Sequence, residues 1–365
     1  MRIYVLSGQL GAGGVPKVIY NISKHLQDSV DALRVAYLGG NNESVDRLRA
    51  AGIEVECLGN RFPDRNHLFR LHRSLRTFAP DIIHTHMGGA SLLGRCVGRL
   101  HKIAVVSTMH NIYTERAPQA RIIDHPTSVL ADAIVSVSVA VQQSLPRTFG
   151  LGASSTVIHN CIDMERVIEQ GRTTEEIPDW LSNIPEGPLV ACVSRMSEKK
   201  GQHHLIRAFR SIQKQFPNAQ LVLTGWSDHK QRLIQLTDNL GLTESVHFLG
   251  KVDNPYAVFD AANVVVFPSK FEGFSIGMLE AMSFGKPIVA TGISPFREAL
   301  GTEYEYATPE CPAELANLIK TYLTDRNIAQ HRGQIAKDRV KTQFSGTVGA
   351  QAHRELYADL LNQST

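Results

Sequence analysis

Two stretches of the sequence repeat one layout of strand, loop and helix. They are MRIYVLSGQLGAGGVPKVIYNISKHL at residues 1–26 and PLVACVSRMSEKKGQHHLIRAFRSI at residues 188–212. Each opens on a β-branched apolar run typical of a buried parallel strand, passes through a polar or glycine-rich loop, and continues with apolar residues at helical spacing. The repetition predicts two Rossmann-like halves, each built on a parallel sheet.

Apolar runs alternate with helical patterns through the rest of both halves, which predicts doubly wound α/β domains. The apolar-poor stretch 163–187 interrupts this alternation. We therefore expect domains at residues 1–163 and 188–345, joined by a connection at 164–187. The strand-like runs are ALRVAYLGG, DIIHTH, AVVSTMH, AIVSVS and STVIHN in the first half, and AQLVLTG, VHFLG, NVVVFPS and KPIVAT in the second.

Size and composition are those of a globular protein with two domains. The chain has 365 residues, of which 43% are apolar and 20% charged, which excludes disordered and collagen-like classes. Its five cysteines are isolated, so they predict neither a disulfide framework nor a zinc site, and they favour a reduced, cytoplasmic setting. We find no secretory signal pattern and no apolar run of about 20 residues, so any membrane contact is expected to be peripheral.

Positive charge is concentrated in the first half of the chain. Residues 60–150 contain eleven Arg and Lys against five Asp and Glu, an excess that attracts anions. Within this stretch, residues 67–78 form a basic amphipathic pattern with Leu68, Leu71, Leu75 and Phe78 on one side. This pattern fits a helix that lies on an anionic membrane and equally a helix that packs its apolar stripe on the sheet.

Two carboxylates flank an apolar segment in FEGFSIGMLEAM, residues 271–282. A strand is expected to end at Pro268, and Ser275 is predicted to cap a helix that runs to Gly285. Glu272 would then lie in the loop and Glu280 on the helix. The amides of a helix N-terminus favour phosphate, and carboxylates accept hydrogen bonds from sugar hydroxyls. The segment therefore suits a nucleotide sugar.

Two cations follow the strand LVACVS in the second half. Arg195 and Lys200 lie in RMSEKKG, at the carboxyl end of a predicted parallel strand. Ligands bind beyond such ends in doubly wound sheets. An arginine there offers bidentate contact to a diphosphate, and a lysine offers a point charge. We predict that both neutralise a diphosphate.

These motifs resemble those of the retaining GT-B glycosyltransferases of glycosyltransferase family 4. FEGFSIGMLEAMSFGKPIVAT resembles the family's E-x7-E region, and SRMSEKKGQHHLIRAF resembles its R-x4-K-G segment. Further segments resemble family elements in the expected order. The N-terminal glycine loop is matched by GAGGVPKVI, and two strand ends of the first domain by DIIHTH and TMHN. The interdomain element is matched by VIHNCID, and the G-x-G loop of the second domain by LVLTGWSD. The resemblance covers nearly the whole chain and implies two Rossmann-like doubly wound domains facing a central cleft.

The resemblance also implies roles for individual residues. Glu280 would hold the ribose hydroxyls, and Arg195 and Lys200 the diphosphate. Glu272 would contact the transferred sugar, and His110 would approach that sugar from the first domain. The implied catalytic group is thus His110, Glu272, Arg195 and Lys200. The other positions implied to bind the donor, mostly through their backbone, are Gly13, Gly14, Gly225, Gly273, Phe274 and Ser275.

The implied reaction is transfer of a hexose, with retention, from a nucleotide diphosphate sugar, for which a UDP-sugar is favoured. The acceptor would be a glycan or a lipid-linked molecule, in polysaccharide, lipopolysaccharide or glycolipid synthesis, in the cytoplasm or at the inner face of the membrane. Residues 1–163 would form the acceptor-side domain, 188–345 the donor domain, and 346–365 a terminal helix crossing back to the first. No D-x-D motif is present, and we expect neither a metal nor a cofactor.

The sequence departs from the family pattern at three positions. Cys161 replaces the usual glycine of the interdomain element, where a left-handed backbone would be strained. Trp226 is unusual in the G-x-G loop, and Ser227 stands where a second glycine is common. We therefore expect a different backbone around residue 161, and we assign no nucleobase.

Other functions are compatible with parts of the sequence. A dinucleotide-dependent oxidoreductase is disfavoured because Pro16 occupies the third glycine position of G-x-G-x-x-G and LRVAYLGGNN has no acidic residue for a ribose. A nucleotide-sugar epimerase of the same fold and a catalytically silent nucleotide-sugar-binding protein remain alternatives. His84 and His86 share one face of a strand, where they form either a metal pair or part of the packing.

Overall fold

The computed structural model describes residues 1–60, 63–172, 179–226 and 229–363. The chain forms two compact units. Unit 1 comprises Met1–Ile162 and Phe344–Thr365, and unit 2 comprises Asp163–Gln343. The last segment of the chain therefore belongs to the same unit as its beginning.

Twelve strands form in the described part of the chain, and eleven of them coincide with the apolar runs that the sequence predicts as strands. Such runs suit strands covered on both faces. The strands are β1 Arg2–Ser7, β2 Ala32–Tyr37, β3 Glu54–Cys57, β4 Ile82–His86, β5 Ala104–Met109, β6 Ala133–Ser136, β7 Ser154–Val157, β8 Leu189–Val193, β9 Gln220–Thr224, β10 Val246–Gly250, β11 Val264–Phe267 and β12 Ile288–Ala290.

Helices connect these strands and cover the faces of the sheets. In order they are α1 Gly14–Leu26, α2 Val45–Ala50, α3 His67–Phe78, α4 Gly88–His101, α5 Pro118–Ser128, α6 Val139–Ser144, α7 Met164–Arg172, α8 Asp179–Ser182, α9 Gln202–Gln215, α10 Lys230–Asn239, α11 Pro255–Ala261, α12 Ile276–Ser283, α13 Ser294–Leu300, α14 Pro312–Thr324, α15 Arg326–Gln343 and α16 Gly346–Gln363. Among the described residues, none of these helices has the length and apolar character needed to cross a membrane.

Each unit contains one parallel sheet. The strand order is β3-β2-β1-β4-β5-β6-β7 in unit 1 and β10-β9-β8-β11-β12 in unit 2. The direction of strand addition reverses between β1 and β4 and again between β8 and β11. Ligands of doubly wound sheets bind at such switch points, beyond the carboxyl ends of the strands. The prediction of two doubly wound α/β folds is confirmed, and it directs attention to the loops after these strands.

Strand β3 is the one strand that the sequence does not predict. It has the sequence EVEC, and all four of its residues are at least partly exposed. It lies at the edge of the sheet and pairs with β2, where Arg34 is in register with Glu54. The Arg34 guanidinium also forms an ion pair with the Glu54 carboxylate at 2.6 Å. This segment therefore forms a strand because it pairs with β2, and not because its own sequence is apolar.

The basic amphipathic helix α3 packs its apolar stripe into the core of unit 1. Leu71, Leu75 and Phe78 are buried, and they join the hydrophobic cluster around β1 and β4. Of the two interpretations of this pattern, the packing of these three residues agrees with a stripe that covers the sheet. Leu68, which was predicted to share that side, is instead 52% exposed, and its neighbour Phe69 is 69% exposed. The first turn of α3 thus presents two large apolar side chains to solvent.

The predicted connection 164–187 begins with a helix that packs in unit 2. Val167 on α7 is 1% exposed. A Cβ atom added at Gly171 would lie 2.5 Å from the ring of Phe284, the residue that follows α12. Residues 173–178 lie outside the described part of the chain. Helix α7 therefore belongs to the packed core of unit 2.

Cys161 is accommodated by a glycine on the terminal helix. Its backbone is not among the positive-φ residues of the described chain, so the strain expected for a left-handed cysteine does not arise. The side chain is 1% exposed, and burial raises the pKa of its thiol to about 12. A Cβ at Gly349 of α16 would lie 2.4 Å from the Cys161 sulfur. A glycine on α16 therefore makes room for the side chain at 161.

This contact predicts the effect of a small substitution. Gly349→Ala should lower the thermal unfolding midpoint by several degrees, since overpacking costs about 1–3 kcal/mol and exceeds the gain in helix propensity. The double variant Cys161→Gly/Gly349→Ala should recover part of the loss, because it removes the clashing side chain. Calorimetry of the three proteins measures both effects. An unchanged midpoint for Gly349→Ala would contradict the contact.

Candidate functional site

The loops after β8 and β11 touch at the switch point of unit 2. Gly201 has a φ of 70°, and a Cβ atom there would lie 2.0 Å from the carbonyl oxygen of Pro268. The amide of Lys270 donates a 2.8 Å hydrogen bond to the carbonyl of Lys199. Only glycine permits both this backbone conformation and this close approach. The two loops are therefore fixed to each other by their main chains.

An ion pair joins the same two loops. The ammonium of Lys200 contacts the carboxylate of Glu272, and the Ser269 hydroxyl donates a 2.9 Å hydrogen bond to the same carboxylate oxygen. The side chains of Lys200 and Glu272 are 17% and 9% exposed. Because solvent is largely excluded, this pair is screened less than one on the open surface. It holds a positive charge beside the start of α12.

The N-terminus of α12 has the capping that the sequence predicts. The Ser275 hydroxyl accepts a 3.3 Å hydrogen bond from the amide of Met278. The first turn of this helix carries no acidic residue, so its positive dipole end is not neutralised from within. Gly273 and Phe274, which precede the cap, are buried. The helix ends at Ser283, two residues before the predicted end at Gly285.

Glu280 lies on α12 with its carboxylate held from a neighbouring helix. It is 4% exposed, and the hydroxyl of Tyr256 on α11 donates a 3.2 Å hydrogen bond to it. Arg166 on α7 in turn donates to the Tyr256 hydroxyl at 3.4 Å. Sequence reasoning missed Tyr256 and Arg166, because no motif marks them and only folding brings α7 and α11 to α12. They orient the second glutamate of the E-x7-E pattern.

Arg195 lies over the indole of Trp226. The guanidinium carbon is 5.5 Å from the ring centroid. A Cβ atom at Gly225 would lie 2.2 Å from the carbonyl oxygen of Ser194, so the loops after β8 and β9 also approach closely. Gln202 secures the first of them by donating to the Ser194 hydroxyl at 2.9 Å and to the Arg195 carbonyl at 3.1 Å. The predicted departure at residue 227 lies outside the described residues.

His110 belongs to a cluster of four histidines in unit 1. A 2.9 Å hydrogen bond joins its Nε2 atom to Nδ1 of His86, so one ring donates and the other accepts. The ring of His84 is tilted against that of His86, at a centroid distance of 4.3 Å, and against that of His353 on α16, at 5.5 Å. The cluster was not predicted beyond the shared face of residues 84 and 86, because residue 353 reaches it only through the packing of α16.

The four imidazoles are neutral at physiological pH. Burial, with the nearby His353 and Arg116 charges, lowers the pKa of His110 to about 3. Burial likewise lowers the pKa of His353 to about 4 and those of His84 and His86 well below their usual range. His110 is therefore a hydrogen-bonding group rather than a cation.

In the described part of the chain, no third metal ligand lies beside His84 and His86. Both ring nitrogens of His84 are hydrogen-bonded at 2.6 Å, one to the Tyr357 hydroxyl and one to the Thr108 hydroxyl. Within the described ranges, no group of three or more His, Cys, Asp or Glu side chains is arranged to hold a metal ion. These two histidines take part in packing and hydrogen bonding.

The predicted site residues thus fall into two sets. Gly13 and Gly14 lie at the start of α1, where an added Cβ would meet no atom within 4 Å, so the space above this backbone is open. They share unit 1 with His110, whereas all the other predicted site residues belong to unit 2. Within unit 2, the structure brings together the loops that carry Arg195, Lys200, Gly225, Glu272, Gly273, Phe274 and Ser275.

Two family models match the chain. One, described as "Glycosyl transferases group 1", matches residues 174–339, and the other, described as "Glycosyltransferase Family 4", matches residues 12–166. The chain belongs to glycosyltransferase family 4. For this family 4 chain, the first match covers most of the second half of the sequence and the second match covers most of the first half.

Relatives of this family 4 chain include two mycobacterial enzymes. It is 25% identical to a glycogen synthase of Mycobacterium tuberculosis over 296 residues, which cover 77% of this chain and 69% of the relative. It is 25% identical to a GDP-mannose-dependent alpha-(1-6)-phosphatidylinositol monomannoside mannosyltransferase of the same species over 246 residues, or 64% of each chain.

Solved structures confirm the fold. A crystal structure of Anabaena Alr3699/HepE in complex with UDP-glucose superposes with a TM-score of 0.83 at 23% identity, covering 98% of this chain and 100% of that one. A sucrose-phosphate synthase from Thermosynechococcus elongatus superposes with a TM-score of 0.74 at 20% identity, covering 99% of each chain. The predicted GT-B fold is therefore confirmed.

The buried histidines predict how the stability of the protein depends on pH. Between about pH 6.5 and 4, these histidines are protonated in the unfolded chain but remain neutral in the folded cluster. The free energy of unfolding therefore decreases as the pH falls through this range. His353→Gln should reduce the slope by about one proton. Urea unfolding at several pH values measures the slope. The exposed His331→Gln is the control, and an equal slope for His353→Gln and wild type would contradict the neutral cluster.

A pair of glycine substitutions tests the contact between the two donor-side loops. Gly201 and Gly241 have similar φ angles of 70° and 66°, but an added Cβ meets an atom within 4 Å only at Gly201. Gly241→Ala should cost about 1–2 kcal/mol through backbone strain alone. Gly201→Ala should cost more, because it also displaces the Pro268 carbonyl, and amide hydrogen exchange of residues 268–276 should accelerate only in this variant. Equal exchange in both variants would exclude the coupling.

Proposed function

We propose that this chain is a retaining glycosyltransferase that transfers a hexose from a nucleotide diphosphate sugar, with a UDP-sugar as the favoured donor. The observation that carries the proposal is the grouping of Lys200, Glu272 and the Ser275-capped end of α12 at the switch point of unit 2. The cation and the helix amides suit the diphosphate of such a donor, and the carboxylate suits its sugar hydroxyls.

In the proposed reaction the leaving group is the nucleoside diphosphate, and the protein has to stabilise its negative charge. When the glycosidic bond of the donor breaks, negative charge accumulates on the diphosphate. Arg195, Lys200 and the α12 amides would stabilise that charge, and fixed donors of this kind need no reorganisation during the reaction. The charge would therefore be neutralised by the chain itself, which is why we propose a metal-independent reaction.

The carboxylates would position the donor. Glu280, held by Tyr256, is suited to accept hydrogen bonds from the two ribose hydroxyls. Glu272 would accept from hydroxyls of the transferred hexose, with its contacts to Lys200 and Ser269 keeping it oriented. The neutral His110 would exchange a hydrogen bond with the same hexose. Retention would follow from attack on the face that the diphosphate leaves, with the leaving phosphate taking the proton of the acceptor.

The proposed acceptor is a glycan or a lipid-linked molecule. Two relatives are named for a glycogen synthase and for a phosphatidylinositol monomannoside mannosyltransferase, and a structural neighbour is described as a complex with UDP-glucose. These names support sugar transfer to such acceptors. We further propose a peripheral contact with the inner face of a membrane, for which the basic first half and the exposed Leu68 and Phe69 are suited.

Donor binding is the first test. UDP-, GDP- and ADP-sugars are screened by thermal shift in EDTA, and one of them should raise the unfolding midpoint, since a ligand at about 100 times its dissociation constant stabilises by roughly 2.7 kcal/mol. Lys200→Ala and Glu280→Ala should abolish the shift. Lys214→Ala, at the exposed far end of α9, should retain it. A shift that needs a divalent metal would reject the metal-independent site.

Turnover decides between transfer and its alternatives. With the stabilising donor and a panel of glycan and glycolipid acceptors, we expect a glycoside whose anomeric configuration, read by proton NMR, equals that of the donor. Inversion would reject retention. Conversion of the donor without any acceptor would indicate an epimerase, and donor binding with neither reaction would indicate a silent binding protein.

A further inference from the structure

Trp226 exposes a large apolar surface beside the candidate donor site. It lies in the loop after β9, and 57% of its surface is accessible to solvent. Tryptophan is highly buried on average, and ligands of doubly wound sheets bind beyond the carboxyl ends of the strands. An indole left this exposed at that edge is a candidate binding surface. The family resemblance assigns this residue no role.

The indole is held in place from the loop after β8. The Met196 amide donates a 2.9 Å hydrogen bond to the carbonyl of Trp226. The guanidinium carbon of Arg195 lies over the ring, 5.5 Å from its centroid. A cation at this distance is attracted by the electrons of the ring. Since the cation covers one face of the indole, the opposite face is the one that a ligand can cover.

Trp226 lies between the groups proposed to hold the diphosphate and the ribose. Its partner Arg195 belongs to the proposed diphosphate site. On the other side, the Gly225 amide donates a 2.7 Å hydrogen bond to the carbonyl of Gly250 at the end of β10. The chain leads from there into α11, whose tyrosine holds the proposed ribose ligand Glu280. A nucleotide that reaches both groups therefore brings its base close to the indole.

We propose that the exposed face of Trp226 is the stacking platform for the nucleobase of the donor. This inference rests on the proposed function, because it requires a nucleotide whose diphosphate lies at Arg195 and whose ribose lies at Glu280. The base would cover one face of the indole, and the guanidinium covers the other. Stacking of this kind tolerates every base, since each base has a π-face. Trp226 thus contributes affinity for the nucleoside and does not by itself select the base.

A purely supporting role is the alternative to this contact. If Trp226 only orients Arg195, its removal weakens the binding of any diphosphate, with or without a base. If Trp226 stacks on the base, its removal weakens the binding of a nucleoside diphosphate and leaves that of inorganic pyrophosphate unchanged. A comparison of these two ligands therefore separates the two roles.

Calorimetry in EDTA compares inorganic pyrophosphate with whichever of UDP, GDP and ADP binds most tightly. Trp226→Ala should weaken the binding of the nucleoside diphosphate about 5- to 100-fold, the range for loss of one base–aromatic stack, and leave pyrophosphate binding unchanged. Trp226→Phe keeps an aromatic face, so its affinity should lie between those of the wild type and Trp226→Ala. Trp180→Phe, on α8, is the matched control and should bind both ligands as the wild type does.

Tryptophan fluorescence gives a second readout, which decides the question even if pyrophosphate binds too weakly to measure. The chain has two tryptophans, so Trp226 is the only one left in Trp180→Phe. Stacking of a base on an indole quenches its emission. A saturating nucleoside diphosphate should therefore quench Trp180→Phe, whereas the emission of Trp226→Phe, which comes from Trp180, should not change.

Three results would overturn the stacking platform and leave the donor site in place. They are nucleoside diphosphate binding unchanged by Trp226→Ala, equal losses for nucleotide and pyrophosphate, and saturation of Trp180→Phe without quenching. Absence of binding of all three nucleoside diphosphates by the wild type would instead reject the proposed function, and this inference with it.

Discussion

The contact between the loops after β8 and β11 is the constraint on which the candidate donor site depends. Parallel strands that neighbour each other at a switch point must end at the same edge of the sheet, so their loops compete for the same space. Gly201 resolves this competition by leaving room for the Pro268 carbonyl, and the Lys200–Glu272 ion pair then forms across the contact. A cation and a carboxylate are thereby held beside the first turn of α12, which neither loop would achieve alone.

The two units differ in the charge of their candidate site residues. Unit 2 pairs a lysine with a carboxylate at the carboxyl edge of its sheet. Unit 1 instead groups four histidines, three of them buried, and desolvation lowers the pKa of each.

Most strands and the capped start of α12 could be predicted from the sequence. Strands such as NVVVFPS are recognisable because both faces are covered, and Ser275 because a helix start needs a local cap. Strand β3 was missed because its stability comes from pairing with β2 and not from an apolar run. Tyr256 and His353 were missed because each reaches its partner from an element distant in sequence, and no short-range pattern records such a contact.

The sequence by itself determined the two doubly wound sheets, the positions of the cations and carboxylates at strand ends, and the family to which they belong, because local periodicity and spacing are properties of the chain. Only the tertiary structure decided which groups meet. It paired Lys200 with Glu272, gave Glu280 a tyrosine partner, made room for Cys161 beside Gly349, and removed the charge of His110. Each of these outcomes depends on burial or on contact across long sequence separations, and such properties exist only once the chain is packed.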